Sequence, residues 1–108
     1  MQTDLGSLVV YDAGPSTLVG FRDVDSIDDS LLDECAASLD RLLREQRCQT
    51  LIVDLSGVKL ISSGVLGYLF TLSRRGVLVR VYNPSESVRE VLAVTRLNSV
   101  LREVDLPH

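Results

Sequence analysis

The stretch Asp54-Leu55-Ser56-Gly57-Val58-Lys59-Leu60-Ile61-Ser62-Ser63-Gly64-Val65-Leu66-Gly67 carries the reading of the fold. It leaves a short, nearly continuous apolar run, Thr50-Leu51-Ile52-Val53-Asp54-Leu55, and that pattern predicts a central strand covered on both faces. Ser56-Gly57 makes a turn, and Val58-Lys59-Leu60-Ile61 is a short extended piece. Ser62-Ser63-Gly64 then opens a helix whose apolar residues are Val65, Leu66, Leu69, Phe70 and Leu72. Arg74-Arg75-Gly76 ends that helix, with bases in the last turn and glycine at the C-terminal position.

Working outward, Leu8-Val9-Val10-Tyr11 and Thr17-Leu18-Val19-Gly20-Phe21 read as two strands joined by the turn cluster Asp12-Ala13-Gly14-Pro15-Ser16, a hairpin. Asp23 to Asp29 is a polar connection. Leu31, Leu32, Cys35, Ala36, Leu39, Leu42 and Leu43 recur at the 3.6-residue period and predict a helix, capped at its start by Ser26 or Asp28. On the far side, Val77-Leu78-Val79-Arg80-Val81-Tyr82 is a strand. Asn83-Pro84-Ser85-Glu86 then starts a helix with Asn83 as cap, Pro84 at the first helical position and Glu86 in a capping box. Val88, Val91, Leu92 and Thr95 form its inner face, and Val100-Leu101-Arg102-Glu103-Val104 is a last edge strand. The order β-β-α-β-α-β-α-(β) predicts an α/β fold, with a mixed central sheet of four to five strands and helices packed on it.

The chain has 108 residues and a net charge of −4. That length predicts one domain over 1–108, able to bury about two-thirds of the surface its unfolded form exposes. Aromatic residues make up 5% and tryptophan is absent, so the core is aliphatic. No apolar run reaches the roughly 18 residues of a membrane span. The start Met1-Gln2-Thr3-Asp4 has no signal-peptide pattern, and the expected location is cytoplasmic. Residues 1–56 carry a net −7 and residues 57–108 a net +3. An acidic chain without a basic stripe of stacking aromatics argues against a nucleic-acid partner.

Few residues offer catalytic or metal chemistry. Cys35 falls on a helical apolar stripe, Cys48 sits in a polar connection, and no Cys/His cluster exists, so no metal site is expected. Asp23, Asp25, Asp28 and Asp29 match no oxygen-cage spacing and read as helix capping. The glycines make neither a dinucleotide fingerprint nor a phosphate loop, and no cofactor is implied. A nucleophilic Ser62 or Ser63 would lack a base, since the single histidine is the last residue, His108. Either serine can serve as an N-cap, and a phosphate added at that helix terminus would be locally tolerated.

Two blocks resemble the STAS domain of anti-sigma factor antagonists. Asp54-Leu55-Ser56-Gly57-Val58 with Ile61-Ser62-Ser63-Gly64-Val65-Leu66-Gly67 is similar to that family's strand end, short apolar segment and Ser-Ser-Gly helix start. Asn83-Pro84-Ser85-Glu86-Ser87-Val88-Arg89-Glu90-Val91-Leu92 is similar to its later strand-to-helix segment, and Leu97 sits where the family commonly has a leucine. The resemblance implies a non-enzymatic interaction module that binds an anti-sigma factor/serine-threonine kinase and is switched by phosphorylation, with a phosphatase to reverse it. Aligning Leu66-Gly67 with the family's Leu-Gly puts the phosphoacceptor at Ser63, with Ser62 as backup. The implied partner surface is Asp23, Asp25, Ser62, Ser63, Gly64 and Gly67. The chain departs from the family at Ser62, where many phosphorylated members carry Asp. That departure favours the alternative, an unphosphorylated adaptor or scaffold of a signalling assembly or transport ATPase complex, for which a homodimer would be supporting evidence.

Overall fold

A computed structural model describes residues 3–5, 8–22 and 24–105. In chain order the elements are β1 (Thr3–Leu5), β2 (Leu8–Asp12), β3 (Ser16–Phe21), β4 (Ser26–Ile27), α1 (Asp29–Glu45), β5 (Thr50–Asp54), β6 (Leu60–Ile61), α2 (Ser63–Arg74), β7 (Leu78–Tyr82), α3 (Glu86–Val94), a 3₁₀ turn (Leu97–Ser99) and β8 (Arg102–Val104). The main sheet runs β1-β2-β3-β5-β7-β8. The hairpin pairs β2 and β3 antiparallel, while β3, β5, β7 and β8 are parallel neighbours. Parallel neighbours need crossovers, and α1, α2 and α3 supply them. The mixed sheet with packed helices is the expected architecture, with β1 joining its edge as a sixth strand.

The helices cover one face of the sheet, and here the expectation for β5 is corrected. Leu51 and Val53 are buried, but Ile52 between them is only half-buried. Strand neighbours share this alternation: Thr17↔Leu51↔Val79 and Val19↔Val53↔Val81 are buried rows, while Leu18↔Ile52↔Arg80 forms a partly open one. A short run of apolar residues does not reveal whether both faces are covered; the position of the helices decides that. On the open face the Tyr11 ring lies against Gly20, where a Cβ would stand 2.8 Å from Tyr11 Cε2. Glycine there leaves room for the close approach of the aromatic side chain.

On the covered face, Leu31, Cys35, Leu39 and Leu43 of α1 join Val65, Leu66, Leu69 and Leu72 of α2 and Val88 and Leu92 of α3 in one aliphatic core. Burial pushes the Cys35 thiol above its ordinary pKa, with Glu34 adding to the shift. Asp28, of the two expected caps, closes α1, its carboxylate accepting from Leu31 N–H at 3.0 Å. The cap of α3 is Ser85, not Asn83: the Ser85 hydroxyl accepts from Val88 N–H at 3.2 Å. Asn83 stands at φ 52°, turning the chain two residues before the cap Ser85, and its amide donates to Ser56 Oγ at 3.0 Å. Pro84 is buried before the helix rather than inside it.

One feature of the connection 22–28 escapes the sequence pattern. Ser26–Ile27 pairs in parallel with Leu60–Ile61, and Ile27 is buried. The Asp25 carbonyl accepts from Lys59 N–H at 2.7 Å, and the Ile27 carbonyl accepts from Ser62 N–H at 2.9 Å. This ladder ties the start of α1 to the start of α2.

Candidate functional site

The two helix starts meet at the serine pair. Ser62 is the N-cap of α2, with extended backbone (φ −76°, ψ 158°). Its hydroxyl accepts from Val65 N–H at 3.2 Å and donates to Asp29 Oδ1 at 2.8 Å. Both the lone pair and the proton of Ser62 are therefore engaged. Ser63, the first residue of α2, is exposed. The first turn of α2 has no acidic residue of its own, so the carboxylate near its positive end comes from the first turn of α1. Asp29 also lies over Gly64, where a Cβ would collide with the carboxylate.

The expected site residues divide accordingly. Ser62, Ser63 and Gly64 are brought together with the ladder that starts at Asp25, itself exposed. Gly67 lies one turn along α2 on the exposed side, with nothing within 4 Å of where a Cβ would project. Asp23 lies outside the described residues, as does His108. Asp29 is the member that the sequence pattern hides: it stands within an acidic capping run, and its link to Ser62 spans 33 residues. No local pattern encodes a contact at that separation.

Further along, the Tyr68 hydroxyl donates to Asp40 at 2.6 Å, joining the middles of α2 and α1. Burial first, and then this carboxylate, raise the Tyr68 pKa above the ordinary phenol value. Between the sheet and the α1–α2 pair, a cavity of about 30 Å³ is walled by Leu31, Cys35, Val53, Val65 and Leu69. It is far below the roughly 300 Å³ of a small-molecule pocket. Among the described residues no group of three or more His, Cys, Asp or Glu could hold a metal ion. Nor, among those residues, is any helix long and apolar enough to cross a membrane.

The family model of the STAS domain matches residues 17–106. A search of curated proteins finds no match. Among solved structures, the chain is similar to an anti-sigma-factor antagonist (STAS) domain protein from Planctomyces limnophilus, at 17% identity and a TM-score of 0.78, covering 91% of this chain and 88% of that one. It is also similar to the anti-sigma factor antagonist SpoIIAA in its unphosphorylated form, at 14% identity and a TM-score of 0.71, covering 100% and 88%. The Bacillus cell fate determinant SpoIIAA in its phosphorylated form is similar at 17% identity and a TM-score of 0.60, covering 100% and 91%. At these identities the solved structures speak for the fold. The matched length, with strand–turn–serine–helix geometry at its centre, places this chain in the STAS domain family, whose members are non-catalytic modules of regulation and protein–protein interaction.

Proposed function

We propose that the protein is an anti-sigma factor antagonist, switched by phosphorylation of Ser63. The carrying observation is the division of labour between the two serines. Ser62 is held by Val65 N–H and Asp29, whereas Ser63 is exposed beside it. A kinase reaching this surface meets a free hydroxyl at Ser63 and a committed one at Ser62. The fold shared with SpoIIAA, a protein with phosphorylated and unphosphorylated forms, supports the reading. Asp29 then takes the place of the acid that many family members carry just before the phosphoacceptor.

In this mechanism the unmodified surface, from Asp25 through Ser62, Ser63 and Gly64 to Gly67, docks on an anti-sigma factor with serine/threonine kinase activity in the cytoplasm. Glycine at 67, with nothing within 4 Å of where a Cβ would project, lets a partner approach the α2 backbone. Phosphorylation adds close to two negative charges. The helix terminus tolerates them, so the fold survives. Buried against a partner, they carry a desolvation cost, and they stand beside the Asp29 carboxylate. Binding is lost and the partner is released, until a phosphatase restores the hydroxyl.

The test is phosphate mapping by mass spectrometry on protein from its native host, with pull-down of the partner by Ser63→Ala and Ser63→Asp variants. Phosphate on Ser63, with binding kept by Ser63→Ala and lost by Ser63→Asp, is the expected result. Phosphate on Ser62 would move the switch by one residue. Absence of phosphate across growth and stress conditions, with equal binding by both variants, would replace the switch by the constitutive adaptor.

A further inference from the structure

We propose that the opposite end of the α1–α2 pair holds a second site, for a phosphate-bearing small molecule. A groove of about 500 Å³ lies where the two helices finish. Arg44 and Arg47 line it from the end of α1 and Arg75 from the end of α2, over apolar contacts from Leu43, Leu72 and Val77. The site is independent of the Ser63 switch and shares no residue with it.

Complementing the helix dipole accounts for single bases near a helix C-terminus. It does not require bases from two helices to share one concavity, and the local backbone makes a second point. Both helices close with the same hydrogen bonds. In α1, Cys48 N–H reaches Leu43 O at 2.9 Å and Arg47 N–H reaches Arg44 O at 3.2 Å. In α2, Val77 N–H reaches Leu72 O at 3.2 Å and Gly76 N–H reaches Ser73 O at 3.2 Å. The closing residue must adopt a left-handed conformation, for which glycine is best suited. In α2 it is Gly76, at φ 97°; in α1 it is Arg47, at φ 49°. The chain thus carries a guanidinium where glycine would fit the backbone better, and that side chain lines the groove.

The three arginines are also free, among the described residues, of competing carboxylate contacts, although the Arg75 charge is felt by the Tyr68 phenol. Among the described residues none of them makes an ion pair or a side-chain hydrogen bond. Other arginines are engaged: Arg89 with Glu103, Arg80 with the Val79 and Val100 carbonyls, and Arg74 over the Phe70 ring. The carboxylate bordering the groove, Asp40, accepts from Tyr68. In a chain of net charge −4, this concavity is a local reversal of sign.

Guanidinium forks match the oxygens of phosphate, and convergent positive charges favour a phosphate monoester or diphosphate over a single carboxylate. The groove volume falls within the roughly 300–1,000 Å³ of small-molecule sites, leaving room for an organic part on the apolar contacts. The same phosphate chemistry is offered by a soluble metabolite and by a lipid headgroup.

The experiment titrates isotope-labelled full-length protein with inorganic pyrophosphate and follows backbone amide shifts. Saturable shifts confined to 43–48 and 72–77 are expected, with affinity falling about tenfold in Arg75→Gln and in Arg47→Gly. Arg47→Gly relieves the left-handed backbone, so its Tm equals or exceeds the parent's, and its loss of binding is not a loss of fold. Pyrophosphate should also slow alkylation of Cys48, which is half-buried at the groove. Sedimentation with phosphatidylcholine vesicles, with and without phosphatidylglycerol, separates the sources. Pelleting that requires phosphatidylglycerol and the arginines identifies a headgroup; pyrophosphate binding without pelleting identifies a soluble ligand. The proposal is overturned by no saturable shift up to about 10 mM pyrophosphate, by shifts spread equally over Arg41, Arg89 and Arg102, or by unaltered binding in Arg47→Gly.

Discussion

At one end of the α1–α2 pair the helices start, and the surface carries Asp25, Asp28 and Asp29 around two serines. At the other end they finish, and the surface carries Arg44, Arg47 and Arg75 around a groove. Both ends follow the helix dipole, which favours anions at the start and cations at the finish. They differ in how completely that preference is satisfied inside the protein. At the starts, Asp28 caps α1 while Ser62 caps α2 and binds Asp29. At the finishes, the backbone carbonyls are closed by the chain itself, and among the described residues the guanidinium groups make no ion pair or side-chain hydrogen bond. A dipole argument alone would treat the ends as mirror images. The hydrogen bonds hold Asp28, Asp29 and Ser62 at one end and leave Ser63 exposed, while at the other end the three arginines make no ion pair or side-chain hydrogen bond among the described residues.

The sharpest way to break this comparison is at Ser63. Because Ser63 is exposed at the first position of α2, Ser63→Asp should leave Tm unchanged or slightly raised, since an acid there suits the helix terminus. Binding to the proposed partner should fall by about a hundredfold, measured by calorimetry. Unchanged binding would leave the acidic end as a capping arrangement and nothing more.

Next in size is Ser62→Ala. It removes the cap of α2 and the tether to Asp29, and should cost about 1 kcal/mol, within a range of roughly 0.5–2. In a domain of this size that lowers Tm by about 4–8 °C per kcal/mol. Asp29→Ala tests the tether separately: it removes the acceptor of the Ser62 hydroxyl and keeps the cap, so a drop in Tm as large as that of Ser62→Ala would mean that the cap itself contributes little.

Gly67→Ala should act in opposite directions on fold and function. Nothing within 4 Å obstructs a Cβ, so relief of glycine's helix penalty should stabilise the protein by about 0.5–1 kcal/mol. Partner affinity should fall, because the methyl stands on the exposed side of α2 next to Ser63 and Gly64. A stabilised variant with full affinity would remove Gly67 from the docking surface.

The smallest effect lies away from both ends, at the exposed pair Arg89–Glu103, with Nε to Oε1 at 2.6 Å. Hydrogen bonding to Arg89 holds the Glu103 carboxyl below its usual pKa. A carboxyl depressed in the folded state stabilises above its unfolded pKa, and that contribution disappears as the pH falls through the folded value. Glu103→Gln should therefore lower Tm near pH 7 by an amount close to the detection limit, with no effect in strong acid or high salt. A large loss would mean that the pair anchors β8 to α3 more firmly than an exposed ion pair should.

Much of this architecture was legible from spacing alone. The period of Leu31, Cys35, Leu39 and Leu43 marks α1, and two apolar runs on either side of the turn cluster 12–16 mark the hairpin. Ser62, the cap of α2, is one of two adjacent serines at a legible helix start. The β4–β6 ladder was not legible, because two-residue strands carry no periodicity. The Asn83 cap failed because three adjacent residues, Asn83, Pro84 and Ser85, could each begin a helix, and the left-handed turn at Asn83 settled which one did. At the candidate site, the serine pair and Gly64 were visible from the resemblance, and Asp29 was hidden in a run of acids.

What the amino-acid sequence determined unaided are interactions that repeat or close within a few residues: apolar periods, caps, and the bases and glycines that end helices. The tertiary structure alone decided which face of β5 the helices cover, which serine is held and which is free, and which arginines share a groove. Those outcomes depend on where α1 and α2 come to rest on the sheet. The core fixes that placement through Leu31, Leu39, Val65 and Leu69 packing against Val53 and Leu55, while the polar residues riding on the same helices are carried to partners 28 and 33 positions away.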